Sequence, residues 1–217
     1  MMRWDTVLFD LDGTVTDPKV GITSAAAYAL RCVGRGEVDP ETLTDFIGPP
    51  LHLIFPAHCG LTEQETDAAI RSFRVYYVER GWRENIPYAG MADFLAALRA
   101  AGLQCVIATS KPEDTARKIL EYFDLARYFD HICGSSAGDK ASADKASVIR
   151  SALARVGESG RAVMVGDRSY DIVGAHAVGL PAIGVRYGYG SLEELTQAGA
   201  DALAADLTEL RAILLQE

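Results

Sequence analysis

Four short apolar runs constrain this chain more than anything else in it: "VLF" (7–9), "LQCVIAT" (103–109), "AVMVGD" (162–167) and "PAIGV" (181–185). Turn residues bound each run, and helical patterns at 112–122, 144–155 and 169–178 lie between the later ones. Strand and helix in alternation predict a parallel sheet with helices on both faces. The runs are almost continuously apolar, as strands covered on both sides must be. The fold class read from this pattern is α/β, a Rossmann-like parallel sheet.

Residues 17–87 break the rhythm, reading as helix after helix with no convincing strand. Ile22, Ala26, Ala29 and Val33 share one face of a first helix. "TEQE" at 62–65 is a capping box that opens another helix, running to Gly81. Phe73, Tyr76 and Tyr77 sit at helical spacing and are expected to pack within this segment. The prediction is a core domain of 1–16 and 88–217, with a small α-helical cap domain, 17–87, inserted after the first strand.

The first run ends in "DLDGTVTD" (10–17), two carboxylates separated by one leucine. On a strand, Asp10 and Asp12 would face one way and Leu11 the other. At about 7 Å and an effective dielectric near 20, their repulsion is roughly 2 kcal/mol, and desolvation adds to it. One acid would serve for a turn. A site that holds a cation and does proton work accounts for two.

Charge limits the partners. A net charge of −9 and a pI near 5.0 argue against a nucleic-acid polymer or an anionic membrane as partner. Any phosphate site must therefore be made locally positive by a metal and a few basic groups. Cys32, Cys59, Cys105 and Cys133 are widely spread with no CxxC pair, so neither a disulfide framework nor a zinc site is expected. Asp5, Asp10 and Asp12 interrupt any signal-like opening, and no apolar stretch is long enough to span a membrane. The expected setting is a reduced cytoplasm, with the protein a monomer or homodimer.

Ligands bind at the carboxyl ends of strands in open α/β sheets. Those ends carry Asp10, Asp12, Gly13 and Thr14; Thr109 and Ser110, followed by Lys111 and Pro112; and "GDRSYD" with Asp167 and Asp171. Lys145 opens the helix "KASVIRSALARV". In this order the residues resemble the haloacid-dehalogenase-like superfamily: "DLDGTVTD" its first motif, the hydroxyl of "ATS" its second, Lys145 its third and "GDRSYD" its fourth. The resemblance spans essentially the whole chain, including a helical cap between the first two motifs.

Asp10 suits a nucleophile toward phosphorus, splitting one hard step into two through an aspartyl-phosphate. Asp12 suits the acid that protonates the leaving oxygen and then the base that activates water. The resemblance implies Mg²⁺ on Asp10, the backbone carbonyl of Asp12 and Asp167, with Asp171 in support. It implies Thr109 and Lys145 on the phosphoryl oxygens, and Gly13, Thr14, Ser110, Lys19, Gly48 and Pro49 as substrate-binding. Lys111 and Lys140 rival Lys145 for its role.

His52, His58 and Cys59 match no usual ligand spacing and are expected as core or surface residues. "GVRYGYGS" (184–191) reads as a flexible loop beside the active site. The stretch "FIGPPL" (46–51) is apolar, and a rim of Ile47, Pro49 and Pro50 would either accept a nucleoside or seal the site against water. Together with "ATSKP", these segments look like the branch of phosphoglycolate phosphatases and bacterial 5′-nucleotidases. The expected activity is a Mg²⁺-dependent phosphatase acting on a small phosphorylated metabolite, a 5′-nucleotide favoured over 2-phosphoglycolate. A phosphosugar mutase of the same superfamily and a non-catalytic phosphate- or metal-binding regulatory protein are the alternatives.

Overall fold

The computed structural model describes residues 4–136, 144–157 and 160–216. The chain forms β1 (Thr6–Phe9), then two short strands that pair with each other, β2 (Thr16–Asp17) and β3 (Ile86–Pro87). It continues through β4 (Gln104–Pro112), β5 (His131–Ser135), β6 (Ala162–Gly166), β7 (Ala182–Val185) and β8 (Ala202–Ala204). Six of these make one parallel sheet in the order β5–β4–β1–β6–β7–β8.

From β1 the sheet grows outward through β4 and β5. The chain then returns to the other side of β1 and grows outward again through β6, β7 and β8. The carboxyl ends of β1 and β6 therefore flank the point where the winding direction reverses, which is where such sheets take their ligands.

Helices cover both faces. Leu8, Val106 and Met164 join Val148 and Ile149 of α6 (Lys145–Val156), Ile172 of α7 (Ser169–His176) and Leu195 of α8 (Leu192–Gln197) in one buried cluster. Phe9, next along β1, points the other way. Its ring meets that of Phe94 in α4 (Met91–Ala100) edge-on at 6.2 Å, and α4 packs against α9 (Leu207–Leu215). All four residues of β1 are buried, which accounts for their unbroken apolarity.

The sheet has two strands more than the four apolar runs suggested. Both are edge strands. In β5, "HICGS" mixes polar and small residues, and β8 is three residues long. Strands open on one side need neither length nor continuous apolarity.

The chain divides into two compact units, Met1–Thr16 with Pro87–Glu217, and Asp17–Ile86. The second is helical, with α1 (Lys19–Cys32), a 3₁₀ stretch Pro40–Phe46, α2 (Leu51–Cys59) and α3 (Glu63–Glu79). Ile22, Ala26 and Ala29 are buried along α1, which packs on α3. Val33 instead caps the end of α1 and is half-buried. Thr62 and Glu65 form the reciprocal capping box. Phe73 stacks on Tyr77 at 5.7 Å, and Tyr28 lies 5.7 Å from Tyr76.

Ile47 is fully buried, so it is packing and not rim; Pro49 and Pro50 are half-buried, and Gly48 is exposed. His58 packs on Phe46 and lies 3.4 Å from Asp45. No helix among the described residues is long and apolar enough to cross a membrane.

Candidate active site

Strand β1 stops at Phe9, so pleat alternation is not what brings Asp10 and Asp12 together. Asp10 keeps one ladder bond, its N–H donating to Val165 O at 2.9 Å. The chain then turns. Thr14, Val15 and Thr16 all donate their N–H to Leu11 O, and Leu11 is fully buried. Gly13 sits at φ +80°, and a Cβ there would lie 2.2 Å from Asp167 Oδ2. A left-handed backbone pressed against a carboxylate admits only glycine.

Two donors hold one oxygen of Asp10: the Leu11 N–H at 2.8 Å and Lys145 Nζ at 3.0 Å both reach Oδ1. That leaves Oδ2 for chemistry. Lys145 also lies 2.7 Å from Asp171 Oδ1 and donates to Ala108 O at 3.2 Å. Asp144 caps its helix, accepting from Ser147 N at 3.0 Å. Burial opposes the charge of Lys145, but Asp10 and Asp171 more than offset it and keep the ammonium protonated well above its ordinary range.

Asp167 ends up fully buried behind Gly13. Thr14 Oγ1 donates to its Oδ1 at 3.3 Å and the Tyr189 N–H to its Oδ2 at 2.8 Å. Burial, then the charge of Asp171, raises its pKa well above the ordinary carboxylate range. Burial also pushes Asp171 up to about 6, against the pull of Lys145. One oxygen from each of Asp10, Asp167 and Asp171 lies within 4.8 Å of the others.

On the other side, Asp12 Oδ2 is 2.7 Å from Lys111 Nζ. Burial raises the pKa of Asp12, Lys111 lowers it, and the charge of Asp10 raises it further. Thr109 is buried, and its Oγ1 accepts from the Lys111 N–H at 3.3 Å, which leaves its own proton to donate. Ser110 beside it is half-buried.

Of the three rival lysines, Lys145 and Lys111 take different partners: Lys145 serves Asp10 and Asp171, while Lys111 serves Asp12. Lys140 lies outside the described residues. Thr14, expected on the substrate, is fully buried with its hydroxyl donating to Asp167. Lys19, Gly48 and Pro49 belong to the helical unit, where the Lys19 ammonium pairs with Glu41 at 2.7 Å.

The glycine-rich segment is a tight fit, not a loose loop. A Cβ on Gly188 would lie 2.3 Å from Asp167 Cβ, and one on Gly190 would lie 1.9 Å from Asp167 O. Tyr187 donates its hydroxyl to Thr14 O at 3.0 Å. Sequence reasoning missed Tyr189 because its contribution is a backbone N–H that any residue supplies. It also left Lys111 as a mere rival, since spacing alone does not show which acid a lysine reaches.

The model of the haloacid dehalogenase-like hydrolase family matches residues 7–185. The chain belongs to this family. Among curated relatives of this hydrolase, the tyrosine-protein kinase PtkA of Mycobacterium tuberculosis is 39% identical over 96% of this chain and 72% of its own length. A 5′-nucleotidase of Pseudomonas aeruginosa is 38% identical over 98% of this chain and 96% of its own. A phosphoglycolate phosphatase of Agrobacterium fabrum is 30% identical over 84% of this chain and 80% of its own. Among solved structures, a predicted phosphatase of Clostridium acetobutylicum superposes with a TM-score of 0.92 at 42% identity, covering 99% of each chain.

In this hydrolase four carboxylates, Asp10, Asp12, Asp167 and Asp171, face two ammonium groups, Lys111 and Lys145. Two negative charges remain in a site that is almost wholly buried. A hard divalent cation fits both that charge and an all-oxygen donor set.

Proposed function

We propose that this protein is a Mg²⁺-dependent phosphomonoester hydrolase working through an aspartyl-phosphate, with a 5′-nucleotide as its substrate. The observation that carries the chemistry is the split of roles at Asp10: two donors hold Oδ1, which leaves Oδ2 to react, and one oxygen of Asp10 lies within 4.8 Å of one from each of Asp167 and Asp171. Bound at Asp10, Asp167 and the Asp12 carbonyl, Mg²⁺ would neutralise the residual charge and draw in the phosphoryl oxygens.

Asp10 Oδ2 attacks phosphorus as the bond to the leaving oxygen breaks, and Asp12 supplies that oxygen with a proton. Water then gives a proton to Asp12 and attacks the aspartyl-phosphate, returning Asp10 and releasing inorganic phosphate. Thr109 and Lys145 donate to the phosphoryl oxygens, where charge builds up in the transition state. The helical unit 17–87 is proposed as the cap that selects the substrate.

The nucleotide preference is supported by the 5′-nucleotidase relative, which aligns along nearly its full length. The PtkA relative favours a second reading, in which a tyrosine hydroxyl replaces water as acceptor. One panel separates them: release of phosphate from each 5′-mononucleotide and from 2-phosphoglycolate with Mg²⁺, beside transfer from ATP to a tyrosine peptide. Turnover led by a 5′-mononucleotide is expected. Turnover led by 2-phosphoglycolate, or transfer to the peptide alone, would overturn the preference.

A further inference from the structure

We propose that Lys111 is a positioning residue for Asp12, anchoring one oxygen of its carboxylate so that the other is presented to the leaving group. This rests on the roles given above to Asp10 and Asp12. Lys111 Nζ lies 2.7 Å from Asp12 Oδ2, and the two side chains are only 7% and 14% exposed. Asp12 Oδ1, by contrast, is buried and has no hydrogen-bond partner. A buried polar atom left unpaired is costly, and the cost is recovered when Oδ1 carries a proton and donates it to the leaving oxygen.

Lys111 reaches that place through a break in the sheet. Strand β4 pairs Ala108 with Cys133 and next pairs Pro112 with Ser135, so β4 advances four residues against two on β5. Extra residues of this kind re-aim side chains beside active sites. Two contacts hold the break in shape. The Lys111 N–H donates to Thr109 Oγ1 at 3.3 Å, and the Lys111 carbonyl lies over Gly134, where a Cβ would be 2.5 Å away. One backbone feature thus fixes the Thr109 hydroxyl and the grip on Asp12 together.

The residue type matters too. An ammonium is a point charge that engages one carboxylate oxygen, whereas a guanidinium fork engages both. Lysine leaves Oδ1 free, from which the proton passes to the leaving oxygen as its bond to phosphorus breaks. Lys111 keeps its own protons throughout.

The test compares wild type, Lys111→Met and Lys111→Arg, with Mg²⁺, on a 5′-mononucleotide and on p-nitrophenyl phosphate. An alkyl leaving group needs a well-placed proton donor, and nitrophenolate needs little help. Lys111→Met is expected to lower kcat on the nucleotide about tenfold or more while sparing the nitrophenol burst. KM and inhibition by inorganic phosphate should hold within about twofold. In an Asp12→Asn background the substitution should cost nothing further.

Lys111→Arg keeps the charge but engages both oxygens, so it should show the same selective loss; it carries the comparison if Lys111→Met does not fold. Equal losses on both substrates, a raised KM with kcat kept, a near-wild-type Lys111→Arg, or a full additional loss in the Asp12→Asn background would each overturn the proposal. Wild-type turnover and its disappearance in Asp10→Asn test the functional reading separately. A wild type that hydrolyses neither substrate would overturn both.

Discussion

At the scale of single residues, the proposed mechanism divides labour between two neighbouring aspartates that are held differently. Asp10 has one oxygen fixed and one free, and Asp12 has one oxygen tied to Lys111 and one buried without a partner. Asp10→Asn removes the proposed nucleophile and should abolish turnover on every phosphomonoester. Asp12→Asn keeps the Asp10 carboxylate and the backbone carbonyl but loses the proposed proton donor, so its first step should slow by about 10²–10⁴-fold with an alcohol as leaving group. With p-nitrophenyl phosphate the first step is largely spared and breakdown of the intermediate is slow. Rapid-quench kinetics should therefore show a nitrophenol burst in Asp12→Asn and none in Asp10→Asn. The reverse pattern would exchange the two roles.

At the scale of elements, the segment after β7 acts as a clamp on Asp167. Gly188 lies so close to Asp167 and to Gly13 O that an added Cβ would sit 2.3 and 2.4 Å from them. Gly188→Ala must push the segment away and stretch the 2.8 Å bond from Tyr189 N–H to Asp167 Oδ2. Overpacking of this kind costs about 1–3 kcal/mol. A lower Tm together with a raised Mg²⁺ requirement for activity is expected. Gly34→Ala, at φ +81° but facing open space, should leave the Mg²⁺ requirement unchanged.

The same segment marks the limit of what a sequence displays. Asp10 and Asp12 were legible because two charged side chains at the end of an apolar strand are costly unless a site uses their charge, whereas Lys145, Asp167 and Asp171 were read through the resemblance to the family's third and fourth motifs. Central strands were legible because burial on both faces demands unbroken apolarity. Edge strand β5 carries no such demand, and a backbone N–H or a glycine that makes room leaves no mark beyond "G". The left-handed turn at Gly13 likewise replaced a pleat that alternation alone would have extended through Asp12.

For the whole molecule, the fold gathers three buried carboxylates at the switch point of the sheet. Residues brought together from the ends of β1 and β6 and the start of α7 place Asp10, Asp167 and Asp171 within 4.8 Å of one another. Lys145 offsets only part of that charge. A cation that binds the folded state and not the unfolded chain stabilises it by mass action, about 2.7 kcal/mol at one hundred times its Kd. For a chain of 217 residues that corresponds to a rise in Tm of about 5–10 °C. Mg²⁺ should produce this rise, and NaCl at matched ionic strength should not. Asp167→Asn sharpens the expectation, because Asn keeps an acceptor for the Tyr189 N–H while removing a charge that burial makes costly. Without metal the variant should melt no lower than wild type, and Mg²⁺ should no longer raise its Tm. A variant that still gains the full shift would show that the cation binds elsewhere. One that melts well below metal-free wild type would show that the charge of Asp167 stabilises the fold instead of straining it.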